Sequence, residues 1–332
     1  MNRRSKYDSF VAEKPVQPRK NCVANLWQRH RTMFILSTIF TAVVIIGLPI
    51  GLALGLHDKH GSHKPVSDTS NLPGLSTLTT HNNTSNGTYW QPKAGTSWQI
   101  VLSTVLNDTS ANVEVFDIDL FTNTAEKITE LHKLGKKVIC YFSAGSYENF
   151  RPDSSSFQTG DYGKGLDGWE GEWWVNTKSA NVRAIMAARL DLAMAKGCDG
   201  VDPDNIDGYG NDTGLDLTEA DAIDYLKFLA TAAHTRGMAI GLKNGGTIVT
   251  RIIDVMDWEI NEQCLQFTEC AELAPFIAAN KPVFHIEYPS DAPVISSTTQ
   301  AKLCNTPSTS GFSTLLKKMN LDEWVLECPI VQ

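Results

Sequence analysis

Acidic side chains recur in this 332-residue chain at the ends of short apolar runs, where paired carboxyls could perform acid/base or nucleophilic work. VEVFDIDL (113–120) ends on Asp117 and Asp119, and KVICYFSAG (137–145) carries Tyr141 and Ser143. CDGVDPDN (198–205) ends on Asp202, Asp204 and Asn205, with Asp207 close behind. MAIGLKN (238–244) supplies Lys243 and Asn244, DWEINEQ (257–263) Glu259, Asn261 and Glu262, and PVFHIEY (282–288) Glu287 and Tyr288. A carboxyl pair with one member protonated and the other ionised suits cleavage of an acetal, and glycoside hydrolysis is the main case. A hard cation is the rival use for Asp202, Asp204 and Asn205, but the glycine-punctuated calcium loop is missing and the expectation is no metal and no cofactor. Ser146 in SAGSYE does not form a GxSxG elbow, which argues against an esterase. Tyr147, Tyr162, Trp169, Trp173 and Trp174 fall in the long segment after the third run. They could stack on sugar rings or pack a lid, and the expectation is substrate contact for Tyr147, Trp169 and Trp173.

Those residues need a frame that gathers strand ends. WQIVLS (98–103) and EWVLEC (323–328) complete a set of eight candidate strands, and amphipathic segments with recognisable ends separate several of them. Ser179 precedes Val182, Ile185, Met186 and Leu190 at helical spacing, and Gly197 closes that segment. Thr218 and Asp221 read as a capping box before Ala222, Tyr225, Leu226, Leu229 and Ala233, with Gly237 as the stop. Thr124–Gly135 repeats the grammar with Ile128, Leu131 and Leu134. Alternating β and α units predict a parallel sheet, and their number and span match an α/β fold of the (β/α)8 TIM-barrel type, whose chemistry sits at the C-terminal strand ends. An open doubly wound sheet is the alternative. It usually places a Gly-rich phosphate loop after its first strand, whereas WQIVLSTVLNDTS contains no glycine.

The net charge of −8 hides two regimes. Residues 1–32 hold eight basic side chains against Asp8 and Glu13, a local +6, which leaves −14 for the rest. That acidic majority excludes nucleic acid as a partner and favours a neutral or cationic one. Between the regimes, Met33–Leu56 runs for 24 residues without a charge, long enough to cross a bilayer. A cleaved signal peptide fits less well, because the leader is long and no small-x-small site follows. Eight basic residues before the run, against Lys59 and Lys64 after it, keep the N-terminus cytoplasmic. The expected layout is therefore a cytoplasmic tail (1–32), a transmembrane helix (33–56), a Ser/Thr/Asn-rich stalk (57–94) and a catalytic domain (95–332). This makes a single-pass type II membrane protein of the cell surface, with a monomeric ectodomain outside. Sequons cluster at Asn82, Asn83 and Asn86 and recur at Asn107 and Asn211. Six cysteines follow the apolar run and allow fifteen pairings, of which Cys264–Cys270, Cys304–Cys328 and Cys140–Cys198 form one set.

The strings VICYFSAGSYENFRPD, GWEGEWWVN, GCDGVDPDNIDGY, GLKN, NEQC and KPVFHIEY, in that order, resemble glycoside hydrolase family 114, the endo-α-1,4-polygalactosaminidases. The likeness covers roughly residues 96–290, and the anchored layout is similar to that of fungal members acting on galactosaminogalactan. It implies a (β/α)8 barrel that cleaves internal α-1,4 links between galactosamine units of a cationic or partly N-acetylated polysaccharide. It implies Asp204 and Glu262 as the catalytic pair, a choice over Glu259 that strand position alone leaves open. By analogy with retaining α-glycosidases of a related barrel clan, Asp204 is the nucleophile and Glu262 the acid/base. Asp117, Asp119, Asp202, Asp207 and Glu287 are then candidates for ammonium recognition. A non-catalytic carbohydrate-binding ectodomain and a glycosidase of another polymer are the competing readings.

Overall fold

The structure, a computed structural model, describes residues 89–331. The tail, the apolar run Met33–Leu56 and nearly all of the stalk lie outside the described residues. Among the described residues no helix is long and apolar enough to cross a membrane.

In chain order the strands are Trp98–Val101 (β1), Val115–Asp119 (β2), Lys137–Ser143 (β3), Ser146–Glu148 (β4), Tyr162–Gly165 (β5), Glu172–Val175 (β6), Gly200–Asp204 (β7), Ala239–Lys243 (β8), Trp258–Glu262 (β9), Val283–Glu287 (β10), Ser313–Lys317 (β11) and Val325–Glu327 (β12). The helices are Ala125–Lys133 (α1), Ala180–Lys196 (α2), Glu219–Thr235 (α3), the short Val249–Ile252 (α4), Cys264–Phe267 (α5) and Ala274–Ala278 (α6), and Ser297–Cys304 (α7). Local chemistry starts the long helices where the sequence predicts. Thr124 Oγ1 accepts from Lys127 N–H, Ser179 caps α2 while Gly197 ends it at φ +90°, and Thr218 with Asp221 forms a reciprocal capping box.

One nine-stranded sheet runs β1-β2-β3-β7-β8-β9-β10-β11-β12, parallel throughout until β12. The first eight have the strand order of a (β/α)8 barrel. The sheet curls until its ends nearly meet: Trp98 Nε1 donates to Ser313 O at 2.8 Å, Ser313 Oγ to Thr96 O at 2.7 Å, and Lys317 Nζ to Gln99 Oε1 at 2.9 Å. These bonds bridge β1 and β11 without a ladder.

Two expectations need correction. The eighth parallel strand is Ser313–Lys317, whereas the predicted run at 323–328 forms β12, antiparallel to β11. A parallel return needs a crossover of a dozen or more residues, and the link between β11 and β12 is too short to make one. The segment after the third strand is an antiparallel sheet, β4-β6-β5, rather than a loop.

Alternation along the strands gives two cores. Trp98, Ile100, Val115, Ile139, Trp258, Ile260, Phe284, Ile286 and Leu315 fill the barrel, while Phe116, Ile118, Val138, Phe142, Val201, Ile240 and Leu242 pack outward with the helices. Trp258 fits because its neighbours are glycines: a Cβ on Gly241 would lie 2.0 Å from its Nε1, and one on Gly200 2.4 Å from its Cη2. Trp90 tilts against Trp258 and Tyr89 stacks on His234, so the chain enters at the barrel end opposite the acidic strand ends. Cys140–Cys198 ties β3 to the start of β7, Cys264–Cys270 closes the turn after β9, and Cys304–Cys328 fastens the C-terminal segment to α7.

Candidate active site

Asp204 ends β7, Lys243 ends β8 and Glu262 ends β9, three adjacent strands whose last residues all face inward. Each strand then breaks sharply, with Asn205 at φ +62°, Asn244 at +56° and Gln263 at +67°. These left-handed residues stop the ladder and lift the preceding side chain into the barrel mouth. Gly145 allows the loop after β3 to press against this rim: a Cβ there would lie 1.6 Å from Asn205 O.

Lys243 Nζ sits between the two carboxyls, 3.2 Å from Asp204 Oδ1 and 3.0 Å from Glu262 Oε2. Those two legs cap the Oδ1–Oε2 separation at 6.2 Å. Tyr141 OH donates to the other Asp204 oxygen at 2.7 Å, and Tyr288 OH to the other Glu262 oxygen. Side-chain exposure rises from 1% at Lys243 to 10% at Asp204 and 20% at Glu262, so both carboxyls remain reachable while the ammonium lies beneath them.

The turn that carries Glu262 is fixed from behind. Asn244 Oδ1 accepts from Glu262 N–H at 3.0 Å, and Asn261 Oδ1 from Cys264 N–H at 3.1 Å. Glu287 Oε1 accepts from Leu265 N–H at 2.9 Å, and His285 Nε2 lies 3.0 Å from the same oxygen. Cys264, Cys270 and His285 bring possible metal-ligating atoms within 4.8 Å of one another, but the two sulfurs are joined in the disulfide. Glu259 alternates out of the barrel. Both its oxygens are buried without a hydrogen-bond partner, and burial, then the charge of Asp202, pushes its carboxyl well above the usual range. Glu262, not Glu259, makes the 3.0 Å ion pair with Lys243, so the geometry separates the two, which sequence position could not do.

The structure disperses the residues grouped for ammonium recognition. Asp117 and Asp202 are fully buried below the mouth, and among the described residues none of their four carboxyl oxygens has a hydrogen-bond partner. Burial, then the charge of Asp202, pushes Asp117 well above the carboxylate range, and burial chiefly pushes Asp202 up to about 7. Asp119 is taken by Arg151 at 2.7 Å and by the N–H groups of Phe121 and Thr122 at 2.9 Å. Glu287 faces outward to His285. Among these candidates only Asp207, half-buried after β7, stays beside Asp204 at the rim; burial, then the charge of Asp204, raises its carboxyl.

Ser143 Oγ accepts from Asn205 Nδ2 at 2.9 Å and lies 2.6 Å from Ser146 Oγ, so Ser143 and Asn205 lock the rim. Tyr147 and Trp173 are cross-strand neighbours on β4 and β6, and with Tyr162 and Phe157 they stack on one another in a half-buried cluster. Trp169, also half-buried, lies in the turn before β6. Sequence reasoning missed Arg151 and Arg189, whose guanidiniums hold Asp119, Glu148 and Asp153 under this small sheet. NFRPD and AARLD gave no signal for that network, because its members come from separate loops and a helix face.

A curled parallel sheet with two reachable carboxyls on alternate strand ends is the arrangement of a glycosidase of the α/β-barrel class. The glycoside-hydrolase family GH114 profile matches residues 79–331, and the chain belongs to this family. A crystal structure of Aspergillus fumigatus Ega3 in complex with galactosamine is 54% identical, covering 72% of this chain and 97% of that one with a TM-score of 0.70. The glycoside hydrolase domain of PelA from Pseudomonas aeruginosa is 12% identical and shares the fold, with a TM-score of 0.53 over 71% of this chain and 99% of that one. No curated protein matches the sequence.

Proposed function

We propose that the protein is an endo-acting hydrolase of α-1,4-linked galactosamine chains that works by a retaining two-carboxylate mechanism. The carrying observation is that one ammonium bridges Asp204 and Glu262, so that the oxygen each turns to Lys243 lies within 6.2 Å of the other. Retaining enzymes place their carboxyls about 5–5.5 Å apart, whereas inverting ones leave about 6.5–9.5 Å for a water. The 54% identity to Ega3, solved with galactosamine, supports the sugar class.

In this mechanism Asp204, its Oδ2 bound by Tyr141 OH, attacks the anomeric carbon with the oxygen next to Lys243. Glu262 hands a proton to the departing glycosidic oxygen, and the Tyr288 hydroxyl holds its other oxygen in place. A water then enters where the leaving chain stood. Glu262 takes its proton, and the hydroxyl breaks the glycosyl–Asp204 ester. Asp207, beside Asp204 at the rim, is the carboxylate this reading assigns to a sugar ammonium. The three disulfides and the Met33–Leu56 run support an enzyme tethered outside the cell with its N-terminus inside.

Product sizing on deacetylated galactosaminogalactan, chitosan and a neutral α-glucan tests this reading. The expected result is shortened oligomers from the first polymer alone. Binding without shortening would favour a carbohydrate-binding ectodomain, and cleavage of another glycan would overturn the substrate. Asp207→Asn should raise KM for the deacetylated polymer with little change in kcat.

A further inference from the structure

A buried cation at the centre of a site assigned to a cationic sugar needs a reason, and the argument rests on that assignment. Lys243 is 1% exposed, with its ammonium 3.2 Å from Asp204 Oδ1 and 3.0 Å from Glu262 Oε2. It would repel a sugar ammonium, so it is a poor ligand for the substrate. Its field reaches acids on every side: Asp117 on β2, Asp202 and Asp204 on β7, Asp207 in the loop after β7, and Glu262 and Glu259 on β9. Tyr141 and Tyr288 bind the remaining catalytic oxygens. We propose that Lys243 is a positioning residue that ties the nucleophile and the acid/base into one charged unit and thereby sets the pH window of hydrolysis.

An ammonium within hydrogen-bond distance favours the ionised form of both carboxyls, typically by about one to three pH units each. Two acids bound to one cation also titrate as a pair. The acid limb of the rate profile reports ionisation of the nucleophile, and the alkaline limb reports loss of the acid's proton. Without the cation both carboxyls keep their protons to higher pH, so both limbs move in the alkaline direction. A residue that only filled space would lower the rate without moving the limbs.

The test is kcat and KM against pH for the purified protein and its Lys243→Met variant on deacetylated galactosamine polymer. Alongside it, an NMR titration of ¹³C-labelled Asp and Glu carboxyls needs no substrate. The expected result is a bell displaced upward by about one to three pH units, with kcat about 10²-fold lower at the wild-type optimum and KM within about threefold of wild type. The Asp204 and Glu262 resonances should shift in parallel. An unmoved titration, or a KM raised tenfold or more with an unmoved bell, would overturn the proposal and make Lys243 a sugar ligand. A wild-type protein silent on this polymer would instead refute the assigned substrate, leaving the NMR titration to judge Lys243. If Lys243→Met does not fold, Lys243→Arg carries the test. Its charge should keep the bell within about 0.5 unit while kcat falls, and an alkaline displacement in that variant would sink the idea.

Discussion

Asp119→Asn separates two roles for a carboxylate that sequence position assigns to the substrate. The side chain is 2% exposed, 2.7 Å from Arg151, and accepts from two backbone N–H groups. Burial alone would raise its pKa, but the Arg151 charge and hydrogen bond, with those from Thr122, bring it below the carboxylate range. Breaking a buried ion pair costs about 3–5 kcal/mol, an upper bound here because Arg151 keeps Glu148 at 2.9 Å. For a domain of this size that lowers Tm by roughly 6–20 °C. The sign with pH follows from the depressed folded value. The stabilising contribution is present above the unfolded aspartate value of about 3.9, and it is lost as pH falls through the folded value. Thermal melts of the two proteins should therefore differ fully at neutral pH and converge in acid. Hydrolysis by the folded variant, assayed well below its Tm, should keep its KM. A variant that melts within about 2 °C of wild type at pH 7 and shows a raised KM would refute the reasoning and return Asp119 to ammonium recognition.

Asp204→Asn and Glu262→Gln should each lower kcat by about 10³-fold or more while the circular dichroism spectrum is retained, and wild-type turnover in either would remove the assignment. Tyr288→Phe removes the donor to Glu262 and should reduce kcat more than it raises KM in steady-state kinetics. Cys140 and Cys198 are 58 residues apart and Cys264 and Cys270 only 6, so the chain-entropy account gives about 4 kcal/mol for the first bridge and about 2 for the second. Denaturant midpoints of the paired alanine variants should follow that order. The smaller loss should bring the larger fall in kcat, because Cys264–Cys270 closes the turn behind Glu262.

Much of this site was readable because a parallel barrel places its chemistry at strand ends, where DPDN, GLKN and NEQ announce themselves. Asp204, Lys243 and Glu262 share a parity that follows from the inward Trp258, Ile260 and Gly241, and the strands break at Asn and Gln residues the motifs contain. Which carboxylates are already occupied was not readable. Asp119 and Glu287 look as available in sequence as Asp207, and only packing reveals Arg151 behind one and His285 behind the other. The eighth strand was missed because STLLK is short and ends on lysines, while EWVLEC has the stronger apolar pattern but returns too soon to run parallel. The aromatic residues of GWEGEWW gave their clustering but not their partners. Tyr147, Tyr162 and Trp173 stack mainly on one another.

Time-resolved ¹H NMR of deacetylated galactosamine polymer during digestion bears most directly on the claim that Asp204 and Glu262 form a retaining pair. New reducing ends should appear first as the α-anomer, before mutarotation mixes the forms, and should not appear with Asp204→Asn. Reducing ends that emerge first as the β-anomer, or that form at the wild-type rate in Asp204→Asn, would contradict it.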